Sequence, residues 1–499
     1  MSPGKPMTSI RFRVSVCPLV VTALIPVVVT SANGAHPQPS QSQHDWGHVS
    51  LESSDKALVD GFNWAKSQAL AYVFTGDPVG DWYEAALPGR SAFCMRDVSH
   101  QSIGAQVLGL AAFNHNMLRK FALSIAPSRD WCGFWEIDKY DRPAPVDYKS
   151  DEDFWYNLPA NFDVLNACYG VYLWTGDRTY IKDPAFLNFY QRTLNDYIQK
   201  WDKDGDGIPE SYPQYRSRGI GSYNEESRMH IKVGCDLVAS EYAAYVAYSQ
   251  IARMRNDAVE ADACAQKAVK LRRVFDENWW DKTWDVFYTA MLADGSMDFQ
   301  RSSSSFPLWF GIIAPGAKLN HELDLVTHLP AGGVEEMSYI PEIAYRYGRD
   351  ERAHTVLLAL MDPRLKRRDY PEVSFSVIRT IAVGLMGIEP DASEGIVMTR
   401  PHLTEQTAWV KIREVPVFQN EISVFHAGLG NSTFVNQKGG AIKWKAAFPG
   451  KLSTLIVDGK ALPSRIEEDP AGQPESNLIV EVKPGEQKTI QVPEAERQQ

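Results

Sequence analysis

Cysteine is scarce in this sequence, and its common metal-binding spacings are missing. Six cysteines are spread over 499 residues, and no two of them form a CxxC pair. A disulfide scaffold and a structural zinc site are therefore not indicated. An HExxH motif is also missing, so the sequence gives no support for a zincin.

Positive charge is also in short supply. Lysine and arginine number 51 against 62 aspartates and glutamates, which leaves a net charge of −11 at pH 7. An acidic surface disfavours nucleic acids and anionic membranes as partners. With 44% hydrophobic and 11% aromatic residues, the chain has enough apolar surface for a large core, which excludes a disordered or fibrous protein.

A long apolar run occurs only near the N-terminus. Basic residues precede the almost uncharged stretch from Val14 to Thr30, and small residues follow it up to Ala35. This layout is typical of a secretory signal peptide, whereas a membrane-spanning helix needs about 20 apolar residues, and this run is shorter and contains Pro18 and Pro26. We therefore expect residues 1–35 to be a signal peptide. The mature protein is then secreted or periplasmic and has no membrane partner.

The pattern from Ser53 to about Gly387 is helical and repeats itself. Residues 171–177, Val-Tyr-Leu-Trp-Thr-Gly-Asp, resemble residues 71–77 closely and residues 344–350 more loosely. Each copy predicts an aromatic helix end before a glycine stop. Recurring helix pairs over roughly 340 residues must bury their faces by stacking or by closing a ring. Long acidic and aromatic connections favour the ring, so the predicted fold class is mainly α, a toroid of helical hairpins over residues 45–400.

Short β-prone runs replace the helical pattern after about Thr404. Gly-rich breaks separate these runs, which predicts a small antiparallel β-sandwich over residues 405–493.

Aromatic residues and carboxylates cluster in the connections between helices. Trp131, Trp155 and Tyr223 fall in loop-like stretches with acidic neighbours. Sugars present apolar C–H faces and hydroxyl edges, so rings with carboxylates between them suit a carbohydrate pocket. Packing between helices is the alternative for each single ring. Asp97 can accept two neighbouring sugar hydroxyls while Arg96 fixes it, or it can simply cap the following helix.

Four glutamates are candidates for acid–base chemistry. Glu225 and Glu226 form a pair beside Tyr223, and adjacent carboxylates next to a desolvating ring acquire the raised pKa that a general acid needs. Glu336 opens a helix, where it also favours the helix dipole. Glu372 follows a proline at the mouth of the last hairpin, where it serves as a base or only starts a helix.

One acidic stretch mimics the start of a calcium-binding EF-hand loop. Asp202, Asp204 and Asp206 occupy the early ligand positions, but Pro213 stands where the bidentate glutamate belongs. A turn tied by aspartate side chains is the better interpretation. We expect no cofactor and no catalytic metal, and leave open a structural calcium ion near these three aspartates.

Three stretches resemble the six-hairpin glycoside hydrolases, particularly the inverting group of mannosylglycerate hydrolases, processing α-glucosidase I and trehalases. They are Arg96-Asp97, Asp202 to Glu210, and Gly384-Leu385-Met386-Gly387-Ile388. The resemblance implies an (α/α)6 barrel with a central sugar pocket and two carboxyls about 6.5 to 9.5 Å apart. The family's acid is an Asp where this chain has Asn224, with Glu225 next to it, and Glu372 matches the position of the base.

These observations predict a secreted glycoside hydrolase that cleaves an oligosaccharide or polysaccharide, with Glu225 as acid and Glu372 as base. The residues predicted to bind the substrate are Arg96, Asp97, His100, Trp131, Trp155, Tyr223, Glu226 and Glu336. One alternative is a polysaccharide lyase, with Tyr or His as its base and basic residues for uronates, for which His100, Tyr223 and His230 are candidates. The other is a carbohydrate-binding protein without catalytic activity.

Overall fold

A computed structural model describes residues 45–225, 227, 229–299, 305–328 and 333–496. The predicted signal peptide and Glu226 lie outside the described residues. The chain from Asp45 onward forms one compact unit. Within the described ranges, no helix combines the length and the apolar character that crossing a membrane requires.

A helical region is followed by a C-terminal β-sheet region, as predicted. The helices are α1 (Lys56–Leu70), α2 (Met95–Val107), α3 (Ala111–Ser124), α4 (Ala160–Thr175), α5 (Thr179–Lys182), α6 (Pro184–Arg192), α7 (Ile198–Trp201), α8 (Cys235–Met254), α9 (Ala258–Asn278), α10 (Phe306–Trp309), α11 (Ala317–His328), α12 (Val334–Arg346), α13 (Asp350–Met361) and α14 (Pro371–Arg379). Two π-helical turns, Thr193–Tyr197 and Thr380–Leu385, continue α6 and α14.

The strands are numerous and mostly short. They are β1 (Ser50–Ser53), β2 (Val73–Phe74), β3 (Trp82–Tyr83), β4 (Ala92–Cys94), β5 (Glu136–Asp138), β6 (Tyr148–Ser150), β7 (Asp153–Phe154), β8 (Ile231–Gly234), β9 (Trp280–Asp281), β10 (Val286–Phe287), β11 (Ala290–Leu292), β12 (Met297–Asp298), β13 (Glu389–Asp391), β14 (Ile396–Thr399), β15 (Trp409–Val417), β16 (Asn420–Ala427), β17 (Asn431–Lys438), β18 (Ile442–Pro449), β19 (Thr454–Val457), β20 (Lys460–Pro463), β21 (Arg465–Glu468), β22 (Pro474–Val482) and β23 (Gln487–Gln491).

The prediction of a mainly α chain is wrong. About 44% of the chain is helical and 23% is strand. Part of the difference comes from the connections between helices, which pair as short ribbons such as β4 with β5 and β6 with β7. β4 and β5 are distant from each other in sequence, and β6 and β7 have only three and two residues, so periodicity reveals neither pairing.

Six helices contact one another in a circuit. α2 packs on α4, α4 on α8, α8 on α10, α10 on α12, α12 on α14, and α14 on α2. α2, α4 and α8 are buried on nearly every side, whereas α1 and α9 bury one face, which is the difference expected between interior and peripheral helices. A Cβ atom at Gly104 of α2 would lie 2.3 Å from the Phe375 carbonyl oxygen of α14, so only glycine permits this approach.

The repeated motif ends helices in two of its three copies. Gly176 adopts φ 67° directly after α4, and Gly348 adopts φ 70° after α12. In the first copy, α1 already ends at Leu70 and Val73–Phe74 forms β2, so the predicted aromatic helix end is not formed. Tertiary pairing with β3 overrides the local pattern there.

The β region contains two sheets that contact each other. The larger has the strand order β1-β15-β16-β17-β23-β19-β20, and the smaller has β13-β14-β18-β22-β21. Phe434 of β17 stacks on Trp444 of β18 with 5.4 Å between ring centroids. The pairing is antiparallel as predicted, except that β14 pairs with β18 in parallel. β1 joins this region from the other end of the described chain.

Candidate active site

Acidic side chains gather at the N-terminal ends of helices. Asp97 lies in the first turn of α2, Glu335 in that of α12 and Glu372 in that of α14. Pro371 begins α14, where its fixed φ suits the first helical position. The free N–H groups and partial positive charge of a helix N-terminus favour carboxylates there.

Arg96 joins carboxylates from separate parts of the fold. Its Nη1 donates to Glu225 Oε1 at 3.1 Å, and its Nη2 donates to Glu335 Oε1 at 2.9 Å. The rings of Trp135 and Tyr223 each lie 5.7 Å from the guanidinium carbon. The side chain is only 11% exposed, so water screens these interactions weakly.

Three carboxylates meet beside Arg96. Oxygen atoms of Asp97, Glu335 and Glu372 lie within 4.8 Å of one another. Asp97 and Glu372 are 4% and 5% exposed, whereas the Glu335 side chain is 51% exposed. Burial, together with the negative charges of Glu335 and Asp97, raises the pKa of Glu372 well above its usual range, and Arg96 acts against this.

Glu225 occupies a different electrostatic environment. Burial raises its pKa, whereas the guanidinium of Arg96 lowers it. The amide of Asn157 donates to Glu225 Oε1 at 3.1 Å and to the Ser222 carbonyl at 2.9 Å. Asn157, which lies just before α4, therefore holds both the carboxylate and the loop that carries it.

A histidine and two tyrosines form one wall of the site. His100 Nδ1 lies 2.8 Å from the Tyr339 hydroxyl, and His100 Nε2 lies 3.4 Å from Asp163 Oδ1. The Tyr223 hydroxyl donates to the same Asp163 oxygen at 2.5 Å. Phe306 packs against both tyrosine rings, with centroids 4.5 Å from Tyr223 and 5.0 Å from Tyr339. The wall thus consists of buried aromatic side chains, each at most 9% exposed.

A second set of acidic side chains, Glu84 and Glu136, lies beside Arg90. Arg90 forms an ion pair with Glu136, and its Nε lies 3.9 Å from Glu84 Oε2. Burial raises the pKa of Glu84 to about 7, and the negative charge of Asp97 acts in the same direction. Burial also raises the pKa of Glu136, which interacts with Asp147.

The structure brings six of the predicted site residues into one cluster. They are Arg96, Asp97, His100, Tyr223, Glu225 and Glu372. Trp131 instead packs under the guanidinium of Arg192 at 4.8 Å, and Trp155 bonds through its backbone to Asp147 at 2.7 Å. Glu336 lies beside Glu335 in α12, and it is Glu335 that pairs with Arg96.

Five residues of this cluster are not among the predicted site residues. They are Trp135, Asn157, Asp163, Glu335 and Tyr339. Trp135 carries the same signal as Trp131, an aromatic residue in an acidic connection, and Glu335 carries the same signal as Glu336. Asn157 and Asp163 have no distinguishing local pattern, because their role comes from contacts across the fold.

The acidic turn from Asp202 to Glu210 is tied by its own side chains. Asp202 accepts the N–H groups of Gly205 at 2.7 Å and Gly207 at 2.9 Å. The ammonium of Lys232 lies 3.1 Å from Asp204 Oδ2 and also pairs with Glu210. Lys232 thus supplies the positive charge that a calcium ion would bring to Asp204 and Glu210.

No protein-family model matches the chain, and no curated protein matches it. Among solved structures, it is similar to the α-L-rhamnosidase from Dictyoglumus thermophilum, with 13% identity, 89% of this chain and 50% of that chain covered, and a TM-score of 0.60. The α-L-rhamnosidase from Aspergillus terreus has 12% identity over 87% of this chain and 50% of that chain, with a TM-score of 0.57. A sialidase has 11% identity over 76% of this chain and 38% of that chain, with a TM-score of 0.57.

The chain spans half the length or less of these three structures. Identities of 11–13% establish a shared fold and no more. None of the three is a mannosylglycerate hydrolase, a processing α-glucosidase I or a trehalase by name, so that narrower resemblance stays a prediction.

Proposed function

We propose that this protein is a glycoside hydrolase that cleaves an oligosaccharide or polysaccharide by an inverting mechanism. The observation that carries the proposal is the convergence of four carboxylates, Asp97, Glu225, Glu335 and Glu372, around Arg96 and next to aromatic rings. The fold shared with two rhamnosidases and a sialidase supports the same class of reaction.

The proposed scaffold is an (α/α)6 toroid over residues 45–400, followed by a β domain over residues 405–493 whose two sheets also include β1, β13 and β14. The circuit of six helices from α2 through α14 and back to α2 supports ring closure. Peripheral helices pack beside them, as α3 does on α2, α9 on α8 and α13 on α12. In such a ring the first turns of α2, α12 and α14 belong to one end, where their carboxylates meet.

In the proposed mechanism Glu225 is the general acid and Glu372 the general base. Glu225 protonates the leaving oxygen, for which its raised pKa is suited. Glu372 removes a proton from the water that attacks the anomeric carbon from the opposite side. Burial raises the pKa of Glu372, but the positive charges of Arg96 and Arg367 lower it and so favour the ionised form that a base needs. Asp97 and Glu335 accept substrate hydroxyls, and Trp135 offers an apolar surface to a sugar ring.

The polysaccharide lyase alternative is less well supported. Burial raises the pKa of Tyr223 well above its usual range, and its hydroxyl already donates to Asp163. A tyrosine of this kind is a poor base. Arg96, which would have to bind a uronate, already pairs with Glu225 and Glu335.

Export of the protein is a separate part of the proposal. The basic, apolar and small-residue segments before residue 36 support cleavage of a signal peptide and a secreted or periplasmic location. N-terminal sequencing of the protein recovered from its native host would test this.

The test of the reaction is hydrolysis of a glycoside panel that includes α-L-rhamnosides and sialosides. Reducing-sugar release and the ultraviolet absorbance of unsaturated uronates are followed in parallel. Glu225→Gln and Glu372→Gln should each lower kcat by about 10² to 10⁴, whereas Glu405→Gln, an exposed control, should not.

Three results would contradict the proposal. Full activity in both site variants would remove the assigned roles. Rising ultraviolet absorbance would indicate elimination and therefore a lyase. A product whose anomeric configuration is retained, measured by NMR in the first minutes, would exclude inversion.

A further inference from the structure

The carboxylates of Asp97, Glu335 and Glu372 form a group that three helices contribute to one point. α2, α12 and α14 each supply one member from the first turn. Their oxygen atoms lie within 4.8 Å of one another. We propose that these three residues bind a divalent cation, with Ca²⁺ preferred over Mg²⁺.

The burial of Glu372, without a partner among the described residues, distinguishes this group from a solvated acidic surface. Glu372 is 5% exposed, and no described residue forms a hydrogen bond or an ion pair with its carboxylate. Asp97 is 4% exposed, and its closest cationic atom is Arg96 Nε at 3.8 Å. Carboxylates so deeply buried are normally paired with a positive charge or bound to a metal.

Arg96 does not fill this need. Its two terminal nitrogens are engaged by Glu225 at 3.1 Å and by Glu335 at 2.9 Å. Four carboxylates therefore surround the guanidinium of Arg96, and Glu372 receives none of its hydrogen bonds. The charge of Arg367 also acts on Glu372, but no ion pair joins these two described residues. A divalent cation beside Asp97, Glu335 and Glu372 would reduce this excess of negative charge.

The ligand set favours calcium. Mg²⁺ demands near-ideal octahedral geometry and keeps several of its waters, so it is seldom held by three protein carboxylates, whereas Ca²⁺ commonly is. Ca²⁺ also accepts 6 to 8 oxygen ligands in irregular arrangements. The Glu335 side chain is 51% exposed, so the remaining positions of the ion are open to water or to hydroxyl groups.

In the proposed glycosidase, Glu372 would bind the ion through one carboxylate oxygen and keep the other for the proton of the attacking water, while the ion holds two neighbouring sugar hydroxyls. This step rests on the proposed function. Binding of the ion itself does not, because it depends only on three carboxylates of the free protein.

The turn from Asp202 to Glu210 provides a matched control within the chain. Asp202, Asp204 and Glu210 also bring three carboxylates within 4.8 Å of one another. Lys232 pairs with two of these carboxylates, and backbone N–H groups bond to the third. This second group therefore has its charge compensated and should not compete for the ion.

The experiment is calorimetric titration of the EDTA-treated mature protein with CaCl₂ and separately with MgCl₂. We expect one Ca²⁺ per chain, with an affinity near the 0.1 to 1 mM of extracellular sites or tighter, and weaker Mg²⁺ binding. Glu335→Gln and Glu372→Gln should each weaken Ca²⁺ binding by at least about tenfold. Asp204→Asn should bind as the unsubstituted protein does, and thermal melts of all variants establish that they fold.

The proposal would be overturned by no Ca²⁺ binding up to about 10 mM, well above the range of extracellular sites. The site would also be refuted if Asp204→Asn lost Ca²⁺ binding while Glu335→Gln kept it. Tighter binding of Mg²⁺ than of Ca²⁺ would refute the choice of ion. Ca²⁺ binding without activity on any glycoside would refute the proposed function but support the cation site. Hydrolysis of a glycoside without Ca²⁺ binding would support the proposed function but refute the cation site.

Discussion

Arg96 offers the sharpest test of the electrostatic arrangement. Arg96→Gln removes the hydrogen-bonded ion pairs with Glu225 and Glu335 and leaves a group of four carboxylates without a guanidinium. The Glu335 side chain is 51% exposed, so its pair is screened and contributes little. The side chains of Arg96 and Glu225 are 11% and 26% exposed, and breaking a buried pair of this kind costs about 3 to 5 kcal/mol.

The cost should depend on pH with a definite sign. Burial raises the pKa values of Glu225 and Glu372 in the folded protein, so the stability linked to these groups is present at low pH and lost as pH rises. Arg96 limits this loss because its charge lowers the pKa values of both glutamates. Arg96→Gln should raise both pKa values further and so increase the loss of stability at high pH. We expect the variant to lose about 3 kcal/mol at pH 8 and clearly less at pH 5, because a larger fraction of these carboxyls is protonated at the lower pH.

Urea unfolding at the two pH values measures this difference. Arg96→Lys is the control, since it keeps the charge but cannot bind two carboxylates in the planar geometry of a guanidinium. It should lose less stability than Arg96→Gln, with a weaker dependence on pH. An equal loss for Arg96→Gln at pH 5 and pH 8 would refute the reasoning.

Three further predictions concern buried groups away from Arg96. Burial raises the pKa of Glu322 to about 7, so Glu322→Gln should increase the free energy of unfolding by about 3 kcal/mol at pH 8 and leave it unchanged near pH 4, measured with urea. Gly104→Ala should lower the melting temperature because its Cβ would meet the backbone of α14, whereas Gly170→Ala, whose nearest contact is 3.7 Å away, should not. Trp444→Ala should cost about 3 to 5 kcal/mol by opening a cavity in the β region.

The helical part of the fold could be predicted because its signals are local. The predicted helical region, from Ser53 to about Gly387, contains α1 to α14, and Gly176 stops α4 with the expected positive φ. Strands whose partners are distant in sequence could not be predicted in the same way. β1 pairs with residues 410–413, and no local pattern reveals a partner about 360 residues away along the chain.

The candidate site shows the same limit on a smaller scale. Glu335 and Glu336 are consecutive residues in the first turn of α12, and consecutive helical residues point about 100° apart. The sequence therefore identifies the pair, but only the packing of α12 decides which member reaches Arg96. Trp131 and Trp135 differ in the same way. β5 begins directly after Trp135 and pairs with β4, which fixes the Trp135 ring beside Arg96, whereas Trp131 lies outside this pairing.

The carboxylates at helix N-termini and the connections between helices are expected to have different roles. Asp97, Glu335 and Glu372 each lie at a helix N-terminus, where the free N–H groups lower the cost of holding negative charge. The helices can retain this arrangement while the connections before them change. Proteins described as rhamnosidases and as a sialidase share the fold, which is consistent with such a division. For the proposed glycosidase, the choice of sugar should then depend on the connections that carry Trp135 and Asn157, and substitutions at these two residues should change the substrate preference before they abolish hydrolysis.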